Sequence, residues 1–188
     1  MKMPFLLNTF AALALTASLA SAAVYTLDPV HSEVGFKVKH MMISNVRGKF
    51  TDIKGTFDLT DGKFAALEGV VQAHTITTDD EDRDNHLRSP DFFDVDKYPT
   101  ITFKFTKQEG ANIYGDLSIK GVTKPVVLTS QVSGEVVDPW GNTRIALVLE
   151  GKINRKDFGL TWNKILEAGG VAVDETVHLF IETQGIRQ

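Results

Sequence analysis

Residues 74–107 read HTITTDDEDRDNHLRSPDFFDVDKYPTITFKFTK and are the one place where an otherwise alternating, strand-like chain breaks into a helical insert. Thr78 and Glu81 have the spacing of a capping box, and acidic residues crowd the turn that follows. The pattern predicts a helix that begins at about Asp79. Pro90 disfavours the helical conformation in the residue before it, so the helix should end there. Two i, i+4 ion pairs are expected along it: Asp79 with Arg83, and Asp84 with Arg88.

The face that this helix would bury is unusual. Arg83, His86 and Leu87 fall at i, i+3 and i+4, so an apolar residue lies beside two potential cations. Such a face suits a lid over an apolar cavity that holds an amphiphile by its polar end. The rival interpretation is that Arg83 pairs with acids and His86 is an ordinary buried histidine, and the sequence leaves both open. Apolar anchorage of the insert is expected from Phe92 and Phe93.

Outside the insert, apolar and polar residues alternate with period two, as in half-buried β-strands. Phe36 and Val38 share one face, and residues 101–105 repeat the pattern with three apolar residues. Asp61-Gly62 and residues 138–141 are turn sequences that send the chain straight back. About eight to ten such strands with one helix predict an all-β fold, an antiparallel sheet that either stacks as a sandwich or closes as a barrel, with the helical insert as lid. Long strands with glycines at Gly55, Gly69, Gly115 and Gly151 favour bending and closure into a barrel. A barrel of this size can hold one small ligand.

The amino-terminal residues have the features of a secretory signal. Lys2 precedes an apolar run from Phe10 to Leu19, and Ala20-Ser21-Ala22 has the small-x-small form that signal peptidase recognises. The run is too short for a membrane span. We therefore expect a signal peptide at residues 1–22 that is cleaved after Ala22, a single domain at residues 23–188, and a periplasmic location.

Composition narrows the classes of function. The chain has no cysteine, so an exported domain of this size must be stabilised by packing rather than by disulfides. Loss of Lys2 with the leader would leave 19 basic and 24 acidic residues, a net charge of about −5. That balance argues against nucleic acid as a partner and against broad adhesion to anionic membranes. No stretch of the mature chain is apolar and long enough to cross a bilayer.

Motifs of common chemistries are missing. The chain has no H-E-x-x-H or related zinc motif, no G-x-S-x-G elbow, no thiol and no glycine-rich phosphate loop. We therefore expect no metal, no cofactor and no catalytic residue. Arg155 and Asp157 form a second polar pair beside Phe158 and Trp162, with the same two interpretations as the lid. The aromatic residues of the mature chain fit either a packed core or an apolar cavity.

Five segments of the chain have a characteristic sequence: HSEVGFKVKHMMISNVRGKF (31–50), RDNHLRSPDFFDVDKYPTITF (83–103), GDLSIKGVTKPVVL (115–128), DPWGNTR (138–144) and INRKDFGL (153–160). In these segments the chain resembles the YceI-like family of periplasmic polyisoprenoid-binding proteins. The resemblance implies an extended, lipocalin-like antiparallel barrel with a helix, whose tunnel holds a long-chain isoprenoid or similar lipid. It also implies export and a link to stress responses without a settled enzymatic activity, and it leaves a homodimer open.

The leading hypothesis is a periplasmic carrier that holds a polyprenyl, quinone-like or similar amphiphilic lipid. Two alternatives stay open: an enzyme that acts on an isoprenoid or quinone with a histidine, such as His40 or His86, as proton carrier, and a structural or interaction module with a packed interior. The polar head of the lipid is expected at His40, Arg83, His86 and Arg155. Its apolar chain is expected at Phe36, Val38, Phe57, Phe92, Phe93, Ile101, Phe103, Phe105, Leu117, Ile119, Phe158, Trp162 and Phe180.

Overall fold

The computed structural model describes residues 22–167 and 169–188. The leader expected at residues 1–22 lies outside the described residues, except for Ala22. One α-helix, α1, spans Glu81–Arg88, and 3₁₀ turns occupy Pro29–His31, Ala73–Thr75 and Arg155–Phe158. The strands are β1 Ala23–Leu27, β2 Glu33–His40, β3 Ser44–Phe50, β4 Ile53–Thr60, β5 Lys63–Gln72, β6 Ile76–Thr77, β7 Thr100–Glu109, β8 Asn112–Ile119, β9 Val122–Val132, β10 Val136–Val137, β11 Thr143–Asn154 and β12 Val173–Arg187.

Eight of these strands close into a ring in the order β11, β9, β8, β7, β5, β4, β1 and β12, with β12 pairing back to β11. Every pairing is antiparallel, so the predicted all-β barrel with a single α-helix is confirmed for the described residues. The other four strands extend the ring: β2, β3 and β6 continue from β12, and β10 adds to β11. Closure leaves the ring without a free edge, which an open antiparallel sheet would have.

The last strand, β12, is long enough to pair with three other strands. β12 has 15 residues, which corresponds to about 50 Å of extended chain. Along one side it pairs with β11 from Thr176 to Ile186. Along the other it pairs first with β2, through Val173 and His40, and then with β1, through Arg187 and Tyr25. The short β1 thus closes the ring at one end, and the β2–β3 hairpin forms the wall at the other.

The helix begins later than its sequence pattern suggests. Its N-cap is Asp80, whose side chain accepts a hydrogen bond from the Arg83 amide, so the predicted capping box of Thr78 and Glu81 is wrong. Asp79 has a φ of 61° and lies outside the helix. Asp84 is buried and accepts hydrogen bonds from the amide and hydroxyl of Thr78. The end of the helix, before Ser89 and Pro90, is as predicted.

The two expected ion pairs of the helix do not form. Arg83 lies 3.5 Å from Asp80 rather than beside Asp79, because Asp79 precedes the helix. Arg88 donates to the carbonyl oxygens of His74 and Ile76, since Asp84 is turned inward toward Thr78. These bonds tie α1 to the segment that leads into β6. The helix is therefore fixed by backbone acceptors of its own connection rather than by surface charge pairs.

A buried ion-pair network around Arg144 fixes the end of the barrel that β1 closes. Arg144 Nη1 donates to Asp28 Oδ2 at 2.6 Å, and its Nε donates to Asp138 Oδ2 at 2.6 Å. His31 Nδ1 lies 2.8 Å from the same Asp28 oxygen. The side chains of Asp28, Arg144 and Asp138 are between 7% and 15% exposed. The network joins the 3₁₀ turn after β1 to the β10–β11 hairpin.

This network predicts a pH-dependent stability. The hydrogen bond from Arg144 lowers the pKa of Asp28 to about 2, and the same cation holds the pKa of Asp138 well below its usual range. A carboxyl whose pKa falls below the unfolded value of about 3.9 on folding adds stability above that value, and loses it as the pH falls. The Arg144→Met variant should therefore melt about 5 °C or more below wild type at pH 7, and the deficit should shrink toward pH 2.

The measurement is thermal unfolding followed by circular dichroism across this pH range. Arg187→Met is the matched control, because the pair of Arg187 with Glu135 is about two-fifths exposed and such surface pairs contribute little. A deficit of equal size at pH 2 and pH 7 would show that the Arg144 variant fails for reasons other than its charge.

Candidate functional site

The interior of the barrel contains an elongated cavity of about 200 Å³. Its lining comes from the inward faces of β2, β4, β5, β7, β8, β9, β11 and β12, together with Leu87 of α1 and Phe92 and Phe93 after it. Apolar side chains dominate this surface, and Arg155 is the buried charged residue among the described lining residues. The arrangement can bury an apolar chain and offers it one polar contact.

Eight of the thirteen residues expected around an apolar chain line the cavity. They come from three strands, β2, β7 and β8, and from the segment after the helix, which the sequence pattern did not show to be neighbours. Phe92 and Phe93 close one side, with Phe93 edge-on to Phe50 at 5.8 Å between ring centroids. The eight are Phe36, Val38, Phe92, Phe93, Ile101, Phe103, Leu117 and Ile119.

Three of the expected residues belong to solid core instead. Phe57 is fully buried and stacks on Tyr25 at 5.0 Å, in the cluster that fills the end closed by β1. Phe105 packs against that same cluster beside Phe64. Phe158 is buried in a second cluster beneath the 3₁₀ turn that begins at Arg155. These three residues therefore lie outside the cavity lining, although they pack against residues that form it.

Phe180 lies on the outer face of β12, which corrects its expected position in the tunnel. Its neighbours Leu179 and Ile181 line the cavity, and successive side chains of a strand point to opposite faces. Outside the barrel, Phe180 stacks on His178 and lies under Lys37, whose Nζ is 5.2 Å from the ring centroid. The alternation on β12 was visible in the sequence, but it does not indicate which face is inside. Sequence reasoning missed Leu179 and Ile181 for that reason.

Two glycine positions set the shape of the cavity wall. The ring of Phe36 lies over Gly48, where a Cβ would be 2.4 Å from the ring, and the ring of Phe103 lies over Gly115, where it would be 2.3 Å away. Both rings therefore lie against the wall rather than across the interior. Each phenylalanine can adopt this position only because its neighbour has no side chain.

Gly69 is the opposite case, an open position in the lining. It lies between Leu67 and Val71 on β5, and both of these inward residues line the cavity. A Cβ built at Gly69 would meet no atom within 4 Å. The absence of a side chain here leaves room inside the barrel, and sequence reasoning used this glycine only as a sign of strand bending.

Arg155 is the buried charged residue among the described residues of the cavity lining. It is 3% exposed, and burial lowers the pKa of its guanidinium below the ordinary value. Nε donates to the Asp174 carbonyl, Nη1 to those of Leu160 and Trp162, and Nη2 to that of Val173. These four bonds hold together the 3₁₀ turn, the segment after it and the start of β12. Asp157, the expected partner, is exposed.

A guanidinium has five N–H groups, and four of those of Arg155 have an acceptor among the described residues. The remaining N–H belongs to Nη2. Because the side chain forms part of the cavity lining, it can offer one hydrogen bond to an oxygen atom inside.

The other expected head-group residues lie away from the cavity lining. Arg83 donates from Nε to the Thr78 hydroxyl at 2.7 Å and from Nη2 to the Thr78 carbonyl at 2.9 Å, which fixes the turn before the helix. His86 is partly exposed, with Nε2 3.1 Å from Asp91. It packs edge-on against Trp162 and Phe92, so Trp162 lies beside the lid rather than in the lining. His40, the last residue of β2, pairs with Val173 of β12 and lies two residues after the cavity-lining Val38.

No set of three or more potential metal ligands is grouped within the described ranges 22–167 and 169–188. The same ranges contain no helix with the length and apolar character needed to cross a bilayer.

Comparison with known proteins gives a consistent result. The model of the YceI-like domain matches residues 25–185. The protein YceI of Salmonella agona is 38% identical over 196 aligned residues that include 100% of both chains. The protein YceI of Shigella flexneri matches at the same identity and coverage.

Solved structures share the fold. The YceI protein of Campylobacter jejuni superimposes with a TM-score of 0.69 at 34% identity, covering 87% of this chain and 98% of that chain. A polyisoprenoid binding domain from Saccharophagus degradans superimposes with a TM-score of 0.63 and the same coverage. Its identity is 16%, so that likeness concerns the fold alone.

The bonds of Arg155 predict a structural role that can be measured. Arg155→Met would leave the carbonyl oxygens of Leu160, Trp162 and Asp174 without this donor, and the Val173 carbonyl would keep the Asn163 amide, so the variant should lower the free energy of unfolding by about 2–4 kcal/mol. Urea denaturation followed by tryptophan fluorescence measures this change. Lys156→Met is the matched control, since Lys156 is an exposed neighbour whose one carboxylate partner in the described part of the chain is Glu175. The free energy of unfolding should fall much less in this variant. Equal losses in the two variants would contradict the assignment.

Proposed function

Because the chain belongs to the YceI-like family, we propose that it is a periplasmic lipid-binding carrier whose barrel holds a long-chain isoprenoid or similar amphiphile. The observation that carries the proposal is the apolar cavity beneath α1. Burial of ligand surface at about 25 cal/mol per Å² would drive binding. The fold shared with a polyisoprenoid binding domain supports the class of ligand. Its export, its link to stress and its homodimer stay predictions.

Arg155 is the residue that we assign to the polar end of the ligand. Its one N–H without a described protein acceptor suits a single oxygen atom, such as a prenol hydroxyl or a quinone carbonyl. A diphosphate would need several charged donors inside the cavity, whereas Arg155 is the buried cation among the described lining residues and Lys54 is exposed. The proposal therefore favours a neutral oxygen head group over a charged one.

The two alternatives are weaker on this structure. The enzyme hypothesis required a histidine, such as His40 or His86, as proton carrier, and none of the five histidines lies among the described residues that line the cavity. The packed-module hypothesis predicted an interior that is simply packed, whereas the barrel contains an apolar cavity of about 200 Å³. We therefore assign no catalytic role to the cavity.

The direct test is native mass spectrometry of the mature protein purified from the periplasm, followed by extraction and identification of any lipid that dissociates. A stoichiometric isoprenoid would support the proposal and identify the ligand. An apo mass that stays unchanged after incubation with polyprenols and quinones would contradict it.

Gly69 provides a variant that separates binding from folding. In Gly69→Leu the new side chain would enter the cavity and compete with the ligand, so affinity for a polyprenol should fall at least about tenfold. Stability should be kept or rise, because a glycine inside a strand costs roughly 0.5–1 kcal/mol relative to alanine. Binding is measured by fluorescence titration of the delipidated protein, and stability by thermal unfolding.

The matched control is Ala65→Leu, which adds a leucine to the same strand at an exposed position outside the cavity lining. It should bind as wild type does. Undiminished affinity in Gly69→Leu would show that the ligand does not occupy this cavity.

A further inference from the structure

An exposed apolar surface lies where the β2–β3 hairpin turns. Met41, Met42 and Ile43 form the three-residue turn, and Ile43 is 87% exposed. Met41 and Met42 both have positive φ, a backbone conformation that residues other than glycine and asparagine rarely adopt. Hairpin turns that need positive φ usually have Asn or Gly at these positions. Turn formation alone therefore does not account for three large apolar residues at this position.

A second loop extends this surface. Met41 N donates to the Ala172 carbonyl at 2.8 Å, and the Met42 side chain packs over Gly170. Ile165, in the same loop, is 87% exposed. We call these four apolar side chains, Met41, Met42, Ile43 and Ile165, the apolar tip.

The outer face of the hairpin behind the tip is basic. Lys37 pairs directly with Arg47 across the two strands, an arrangement of like charges that weakens a sheet. Lys39 and Lys49 lie on the same face. Lys49 pairs with Glu33, whereas Lys39 and Arg47 have no carboxylate partner among the described residues. We call Lys37, Lys39, Arg47 and Lys49 the basic flank, which contrasts with the net charge of −4 for the whole chain.

The apolar tip lies next to the cavity. Val38 and Val173 line it, and Val173 pairs with His40, the residue just before the turn. A lipid that leaves a bilayer at the tip would therefore be close to the lining that we propose receives it.

We propose that the apolar tip and basic flank dock the protein on the surface of an anionic lipid bilayer. The tip would enter the headgroup region, and the flank would contact lipid phosphates. A second copy of this chain fits less well, because a two-fold contact through this hairpin would place the basic flank against itself. The docking goes beyond the proposed function and rests on it only for its purpose, the exchange of lipid with the membrane.

The test is co-sedimentation of the mature protein with sucrose-loaded vesicles that contain no isoprenoid. Wild type should bind vesicles of equal parts phosphatidylglycerol and phosphatidylcholine, bind phosphatidylcholine vesicles weakly, and be released by added salt. Both Met42→Asp/Ile43→Asp and Lys39→Glu/Arg47→Glu should lose at least about tenfold in vesicle affinity.

The matched controls lie at the other end of the barrel. Trp140→Asp changes a residue that is 81% exposed in the β10–β11 hairpin, and Lys63→Glu changes an exposed lysine in the β4–β5 hairpin. Both should bind vesicles as wild type does. Equal losses in the controls would overturn the proposal, as would wild-type protein that stays in the supernatant with both kinds of vesicle.

Two further measurements separate the outcomes. Titration with the short isoprenoid alcohol farnesol, without vesicles, reports on the cavity alone, and the tip and flank variants should bind it as wild type does. If wild type does not bind farnesol, the proposed function is overturned and the docking proposal is unaffected. Sedimentation equilibrium detects a second copy, and a dimer that the tip variant dissociates would overturn the bilayer as occupant.

Discussion

Strand β12 is the constraint on which the rest of this structure depends. A ring of eight antiparallel strands needs a last strand that pairs on both sides, and β12 does this over about 50 Å by pairing with β11 on one side and with β2 and then β1 on the other. The change of neighbour divides the barrel into two parts. Where β1 closes the ring, the interior is solid around Tyr25 and Phe57. Where the β2–β3 hairpin forms the wall, the interior is hollow.

This division explains what the sequence could predict. Period-two alternation with turn residues is a local signal, and it was enough for an all-β antiparallel barrel with one helix. The same signal could not show that Phe57 and Phe105 belong to the solid part while Phe36 and Phe103 line the cavity. That difference depends on which strands meet across the interior, and residues more than a hundred positions apart decide it.

The polar residues show the same limit more sharply. Arg83 and Arg155 looked alike in the sequence, as cations beside apolar residues. Arg83 satisfies the Thr78 carbonyl and hydroxyl at the start of a helix, whereas Arg155 is buried against four carbonyls with one N–H to spare. Acceptors that belong to the backbone leave no trace in residue identity, so sequence reasoning could not separate the two. The Asp80 cap was missed for a related reason, since Asp79 and Asp80 are equally good caps and only the backbone turn at Asp79 decides between them.

The rings of Phe36 and Phe103 pack over Gly48 and Gly115, and this packing has a consequence for how related barrels differ from one another. At each of these places the width of the cavity depends on two positions: a phenylalanine that supplies the ring, and a glycine that leaves room for the ring against the wall. A single change at the glycine pushes the ring into the interior and narrows it, and a single change at the phenylalanine leaves a recess at the wall. Relatives that hold ligands of different width should therefore differ at both members of a phenylalanine–glycine pair. The width of the cavity would then evolve through coupled substitutions on neighbouring strands.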